Sequence, residues 1–125
     1  MASNSAQLWT YAQTLETPCE ESRRAKISRA YYALYHHARD FHDALPEDAR
    51  GQELAVGGGV HKKLIQKLTN PTLKDESAKK RSRSIGTFLG LARDLRDQAD
   101  YDNQCSIGNV QVSQCLGFVK KGLDS

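Results

Sequence analysis

Only three prolines interrupt the chain, at positions 18, 46 and 71, and each lies where a helix would begin or end. Proline breaks the interior of a helix or a strand, so the stretches between these positions are free to form long regular elements. Apolar residues in these stretches recur every three to four positions and do not alternate strictly with polar ones. That spacing is typical of amphipathic helices. The sequence therefore predicts an all-α protein.

The apolar spacing predicts helices over residues 4–16, 18–45, 61–68, 74–101 and 110–123. Thr17 as N-cap, Pro18 in the first helical position and Glu20 in a capping box are expected to start the second helix. With 125 residues, the chain fits one domain over residues 1–125. Long helices with mostly short connections predict an up-and-down bundle of four to five helices. The 46–60 loop is longer than typical connections, and we expect a lid or a binding element there.

Composition excludes several classes of protein. Eighteen Lys and Arg residues against fifteen Asp and Glu give a net charge of +3, which permits a nucleic-acid partner without requiring one. No apolar run approaches the roughly 18 residues of a membrane span, and no signal peptide is evident. The three cysteines form no CxxC pair and the four histidines form no HExxH motif, so we expect no disulfide framework, no metal site and no cofactor. These features favour a reduced, cytoplasmic protein.

The second helix carries polar residues opposite its apolar stripe. Arg29 and His36 are seven residues apart, and hence about 20° apart around the axis and roughly 10 Å along it. Tyr32 lies on the same face, where a solvated surface would favour Lys or Glu, so we expect a second helix or subunit to cover it. Imidazole can move the proton of an RNA 2′-hydroxyl, and guanidinium can hold the phosphate. The alternative is a salt-bridging surface arginine and a partly exposed histidine.

A second polar cluster ends the fourth helix. Arg93 with Asp97, and Arg96 with Asp100, have the i,i+4 spacing of helical ion pairs. Arg96 and Asp100 border the apolar stripe, so we expect both to be half-buried. One interpretation is an ion pair that fixes the end of the helix; the other is a supporting role for Arg96 at a cleft.

Two segments resemble a known family. Residues 28–36, SRAYYALYH, resemble the SRAYYAxFH signature of small stand-alone HEPN-domain proteins of bacteria and archaea. Residues 96–101, RDQADY, resemble the R-x-x-A-D-Y segment of the same family, and His61 matches a histidine that commonly precedes its short third helix. The order and spacing of these motifs extend over roughly residues 20–120.

This resemblance implies a HEPN-type helical bundle, commonly a homodimer. Many HEPN proteins are metal-independent ribonucleases with an Arg-x(4–6)-His motif, and two subunits contribute to one cleft. Many are encoded beside a minimal nucleotidyltransferase in toxin–antitoxin or defence modules, while others are non-catalytic binding domains. Carried over to this chain, the resemblance makes Arg29 and His36 the candidate catalytic residues. Residues expected to contribute to binding are Tyr32, His61, Arg96, Asp100 and Tyr101.

The chain departs from the ribonuclease pattern of the family. In the nuclease branch the Arg…His motif lies on the late helix, where this chain has Asp100 and no histidine. The spacing of Arg29 and His36 fits the motif, but their position on the earlier helix does not. Two interpretations follow: a metal-independent ribonuclease rebuilt on the second helix, or a non-catalytic adaptor. The adaptor would bind a nucleotide or a partner protein, such as a nucleotidyltransferase, as a homodimer.

Overall fold

A computed structural model describes residues 4–51 and 58–125. Over these ranges the chain forms five α-helices and one short 3-10 turn (Glu47–Ala49), and it has no β-strand. The helices are α1 (Ser5–Thr14), α2 (Glu20–Asp43), α3 (Val60–Thr69), α4 (Glu76–Tyr101) and α5 (Asn109–Leu123). The predicted all-α bundle is confirmed, with each predicted helix present and its ends shifted by two residues or fewer.

Helix α2 is the central element of the bundle. It packs against α1, α4 and α5, whereas α3 packs mainly against α4. Arg81 in the first turns of α4 lies over the Phe41 ring near the end of α2, at 5.1 Å, so the two helices run antiparallel. Ser125, which follows α5, bonds to Arg81 and Ser84, so α5 is also antiparallel to α4.

Apolar residues that recur every three to four positions along the helices form most of the core. On α2, Ile27, Tyr31, Leu34 and Ala38 are fully buried, whereas the last two residues of the stripe are only half-buried. Tyr11 of α1 follows the same spacing but keeps 55% of its surface exposed. Leu89 of α4 and Cys115 of α5 are fully buried.

The predicted start of α2 is also wrong. The N-cap is Cys19 and the helix begins at Glu20, two residues later than expected. The Ser22 hydroxyl accepts a hydrogen bond from the Cys19 N–H at 3.1 Å. The sequence predicts the corresponding bond two residues earlier, from the Thr17 N–H to the Glu20 carboxylate. The Glu20 carboxylate instead accepts the Ile107 N–H at 2.9 Å, and this hydrogen bond, followed by its bond to Arg24, lowers the Glu20 pKa.

Arg24 ties the start of α2 to the end of α4. Its guanidinium pairs with Glu20 at 3.1 Å and donates to a series of backbone carbonyls, those of Gln98, Ala99, Asp102 and Cys105. The last carbonyls of a helix have no partner within the helix, so one side chain serves both as a C-cap for α4 and as an anchor for the segment that follows it.

Glycine permits the close packing of α3 on α4. A Cβ atom at Gly86 would lie 2.8 Å from Thr69 Cγ2 and 2.9 Å from Leu68 Cβ, well inside van der Waals contact. At Gly90, one turn later, the nearest atom would be Ile65 Cγ2 at 3.7 Å. The close approach therefore depends on Gly86 and not on Gly90.

Residues 52–57 of the expected lid or binding loop lie outside the described residues. Gly51 and Gly58, on either side, have positive φ angles of 76° and 88°, a conformation that glycine adopts at little cost. None of the helices within residues 4–51 and 58–125 has the length and apolar character needed to cross a bilayer.

Candidate functional site

Arg96 of α4 is the centre of a polar cluster in the bundle. It is buried, with 9% of its surface exposed. Its Nη2 donates to the Tyr32 hydroxyl at 2.8 Å and to the Tyr101 hydroxyl at 3.2 Å. Its Nη1 donates to Asp97 Oδ1 at 3.3 Å. Its Nε lies 2.9 Å from Asp100 Oδ2, an ion pair without a well-aligned hydrogen bond. The predicted i,i+4 pair of Arg96 with Asp100 is thus present.

Three tyrosine rings surround the same guanidinium. The Arg96 Cζ lies 5.5, 5.3 and 5.1 Å from the ring centroids of Tyr31, Tyr32 and Tyr101, within the range of cation–π attraction. Burial works against the charge of Arg96, but the neighbouring tyrosines and Asp100 outweigh it and raise the pKa of the guanidinium. The cluster therefore holds a permanent positive charge inside the bundle.

His61, at the start of α3, joins the cluster through Tyr31. The Tyr31 hydroxyl lies 2.6 Å from His61 Nδ1, and the imidazole stacks on Tyr35 with centroids 4.1 Å apart. Burial raises the pKa of Tyr31, whereas burial and then Arg96 lower that of His61, so the phenol is protonated and the imidazole neutral. In this hydrogen bond the Tyr31 hydroxyl donates if the His61 ring proton is on Nε2, and accepts if the proton is on Nδ1.

The two segments that carry the family resemblance meet in this cluster. Besides the Tyr32–Arg96 bond, the Ser28 hydroxyl donates to Asp100 Oδ2 at 3.3 Å. The structure brings together all five residues predicted to contribute to binding, which are Tyr32, His61, Arg96, Asp100 and Tyr101. Tyr101 keeps 70% of its surface exposed, so the cluster extends from the interior to the surface.

Neither of the two candidate catalytic residues bonds to Arg96. Arg29 is exposed and makes no hydrogen bond, ion pair or ring contact with the residues that the structure describes. His36 is partly buried, meets the edge of Tyr35 at 5.8 Å and accepts a hydrogen bond at Nδ1 from Arg39 Nη2 at 3.1 Å. Arginine has only donors, so this bond assigns the His36 ring proton to Nε2. Their catalytic roles stay predictions.

The groups already paired with Arg96 limit its ability to bind a ligand. Its guanidinium already bonds to Asp97 and two tyrosine hydroxyls and forms an ion pair with Asp100. The neighbouring Arg93 pairs with Asp97 at 3.8 Å. A guanidinium with these partners is better suited to fixing the positions of neighbouring side chains than to binding a phosphate. Across residues 4–51 and 58–125, no three His, Cys, Asp or Glu side chains lie close enough to one another to hold a metal ion.

The sequence reasoning missed three members of the site. Tyr31 was not among the candidate site residues, although its hydroxyl lies 2.6 Å from His61 Nδ1. Tyr35, one turn later, stacks on His61, and Arg39 lies 5.7 Å over the Tyr35 ring. The signal was available in the spacing, because residues 31, 35 and 39 follow an i,i+4 row along one side of α2.

The fold and the cluster define the chain as an all-α bundle with a buried arginine–tyrosine network. No protein-family model, no curated protein and no solved structure matches it. The HEPN resemblance therefore rests on the motifs in the sequence.

Proposed function

We propose that this protein is a HEPN-type protein that acts on RNA as a metal-independent endoribonuclease. The observation that carries the proposal is the meeting of three distant segments in one network. Tyr32 from the SRAYYALYH segment bonds to Arg96 from the RDQADY segment at 2.8 Å, and Tyr31 bonds to His61 at 2.6 Å. These contacts join residues 64 and 30 positions apart in the sequence. Contacts between the resembling segments support the interpretation that the two motifs belong to one family signature and did not arise independently by chance.

The chemistry proposed for the reaction uses the outer side of α2. An imidazole takes the proton of a 2′-hydroxyl, the 2′-oxygen forms a bond to the phosphorus, and the bond from phosphorus to the 5′-oxygen breaks as that oxygen gains a proton. Arg29 would hold the phosphate and offset its growing charge. The products are a 2′,3′-cyclic phosphate and a free 5′-hydroxyl, and no metal ion takes part.

His36 acts as a base only after Arg39 leaves it. In the structure Arg39 occupies the lone pair on His36 Nδ1, and Nε2 carries the proton, so neither nitrogen is open to accept another. Each chain contributes one such histidine, whereas the reaction needs a proton acceptor and a proton donor. A homodimer that places two copies of the Arg29 and His36 surface around one strand supplies both, and the exposure of Arg29 in the single chain is compatible with such an interface.

A second candidate function is a non-catalytic adaptor that binds a nucleotide or a nucleotidyltransferase in a toxin–antitoxin or defence module. The specific observation in its favour lies on α4, where Asp100 replaces the histidine of the nuclease branch and pairs with Arg96 at 2.9 Å. Under this alternative, Arg29, Tyr32 and His36 form an interface and no bond in RNA is broken.

Incubation of the purified protein with RNA in EDTA tests the proposal. We expect cleavage with 2′,3′-cyclic phosphate ends and its loss in His36→Ala. The matched control is His37→Ala, one residue away on α2, where the side chain lies near Arg81 of α4. This variant should still cleave RNA, and thermal melting checks that it is folded. Intact RNA with the wild type, or equal cleavage by His36→Ala, contradicts the ribonuclease proposal.

A change in the oligomeric mass of the protein distinguishes the adaptor function from the ribonuclease function. If RNA stays intact but Arg29→Glu shifts the mass measured by light scattering while leaving thermal stability unchanged, the Arg29 surface is an interface of a non-catalytic protein. An unchanged mass together with intact RNA contradicts both proposed functions.

A further inference from the structure

The first turns of α4 and the last turn of α5 form one end of the bundle, because the two helices run antiparallel. Ser84 of α4 bonds to Ser125 after α5 at 2.8 Å, and Lys121 Nζ lies 5.8 Å from the centroid of the Phe88 ring. Five exposed cations lie in these turns, and we call them the basic end: Lys80, Arg81, Arg83, Lys120 and Lys121.

Carboxylates leave most of the charge of the basic end unpaired. None of its five cations forms an ion pair with an Asp or Glu of residues 4–51 and 58–125. Of the acidic residues nearby, Glu76 pairs with Lys79 at 3.1 Å, and Asp75 accepts a backbone N–H in the first turn of α4. Asp40 of α2 and Asp124 remain. The whole chain has nearly equal numbers of cationic and acidic residues, 18 and 15, so positive charge is concentrated at this end.

An apolar strip continues from the cations along the line where α4 and α5 meet. Lys80, Ser84 and Phe88 follow an i,i+4 row, and Ser84 places that row beside α5. The rings of Phe88 and Phe118 stack with centroids 6.5 Å apart, and both are only partly buried. Leu91, one turn further along α4, keeps 40% of its surface exposed. Cations beside accessible aromatic side chains are typical of surfaces that bind single-stranded nucleic acid.

The apolar strip favours a single strand over other polyanions. A double helix presents phosphates but keeps its bases stacked inside, and an acidic peptide would pair with the cations and leave the strip uncovered. An unpaired strand presents both phosphates and the faces of its bases.

We propose that the basic end binds the phosphates of single-stranded RNA, whose bases lie against the strip of Phe88, Phe118 and Leu91. This inference rests on the proposed function, because it names the form of RNA that the protein takes and a second surface that holds it.

The basic end is separate from the proposed reaction site. Leu34 of α2 packs against Gly122 of α5. Arg29 and His36 lie on the opposite side of α2 from Leu34, since five and two residues correspond to rotations of about 140° and 160°. The basic end therefore anchors the strand and takes no part in breaking it.

A binding experiment separates this inference from the cleavage reaction. The probe is a fluorescent, single-stranded 2′-O-methylated oligonucleotide, which lacks the hydroxyl needed for cleavage, titrated by anisotropy at several salt concentrations in EDTA. The test variant is Lys80→Gln with Lys120→Gln, two exposed positions at the basic end. One control, Lys80→Arg with Lys120→Arg, keeps the charge. The other, Lys62→Gln with Lys63→Gln, removes equal charge from α3.

We expect the test variant to bind on the order of tenfold more weakly at about 0.1 M salt, because two phosphate contacts are lost. Its log–log salt dependence should be flatter by about 1.4, from roughly 0.7 for each phosphate on a single strand. Both controls should keep the wild-type affinity and slope. Annealing a complementary strand to the probe should weaken binding to the wild type, although the duplex has the higher charge density, because paired bases cannot reach the strip. Polyglutamate at equal charge concentration should displace the probe poorly.

An unchanged affinity and slope in the test variant overturns the inference, and so does equal weakening in the Lys62 and Lys63 control, which would mean diffuse surface attraction. Equal or tighter binding of the annealed duplex, or full displacement by polyglutamate, also overturns it, because the surface would then recognise charge alone. If unmodified RNA stays intact in EDTA while the oligonucleotide binds as expected, the ribonuclease proposal fails and the anchoring surface stands. If His36→Ala abolishes cleavage while the test variant binds like the wild type, only the anchoring surface fails.

Discussion

Replacing Gly86 by alanine tests the packing that positions α3, the helix that carries His61. Within a helix, glycine is about 1 kcal/mol less favourable than alanine, so alanine at position 86 gains that amount in propensity. The added methyl group, however, would lie 2.8 Å from Thr69 Cγ2, 2.9 Å from Leu68 Cβ and 3.1 Å from Thr69 N. Two of these atoms are backbone N or Cβ and cannot rotate away, so α3 must shift as a whole.

Gly90→Ala is the matched control in the same helix, one turn away. It has the same gain in propensity, but its methyl group would meet no atom closer than Ile65 Cγ2 at 3.7 Å. The propensity term therefore cancels when the two variants are compared, and the difference isolates the overpacking. Overpacking of a well-packed interior costs about 1–3 kcal/mol, so we expect Gly90→Ala to be more stable than Gly86→Ala by that amount.

Urea unfolding followed by circular dichroism at 222 nm measures the difference. For a slope of about 1.5 kcal/mol per molar urea, the two midpoints should differ by roughly 0.7–2 M. Gly90→Ala should unfold at higher urea concentration than the wild type. If Gly86→Ala is as stable as Gly90→Ala, the close contact between α3 and α4 is not present in solution and the reasoning is refuted.

Other predictions concern single side chains. Arg24→Met should lower the free energy of unfolding by about 2–3 kcal/mol because backbone carbonyls lose a charged donor, whereas Arg29→Met, at an exposed position, should stay within about 0.5 kcal/mol in the same urea assay; equal losses would contradict this. Burial and then nearby arginines lower the pKa of His61 below its ordinary value of 6.5. The folded state therefore resists protonation, so stability is full above pH 6.5 and falls as the pH falls below it. His61→Gln should flatten that decline in thermal melts between pH 7 and 5, and a decline of unchanged steepness would contradict this. Burial raises the pKa of Cys115 to about 12, so at pH 8 a thiol reagent should modify exposed Cys19 in the folded protein and Cys115 only after unfolding; immediate reaction of every thiol would contradict the burial.

Periodicity predicted the fold because the features that decide it are local. Each apolar stripe depends on residues three or four positions apart, and the long stripe of α2 is fully buried from Ile27 to Ala38. The start of α2 was mispredicted because its deciding partner is distant. Glu20 bonds to the Ile107 N–H, 87 positions away, and no local pattern reveals that competition.

The sequence predicted which residues belong to the candidate site, but not which of them contact one another. The motifs indicated Tyr32, His61 and Arg96, and the structure unites them. The contacts of His61 with Tyr31 and Tyr35 could not be predicted, because His61 lies on α3 and the close packing of α3 on α4 depends on Gly86. Sequence spacing orders the side chains of one helix, whereas a contact between two helices depends on how they pack.

Arg24 donates to main-chain oxygens in the last turn of α4 and in the segment that follows it, and not to the side chains there. Every amino acid supplies the same carbonyl, so substitutions at positions 102–105 leave this anchor chemically intact. Related chains are thus free to vary in that stretch during evolution while Arg24 itself is retained, and comparison of divergent homologues should reveal a constant cation facing a changing loop.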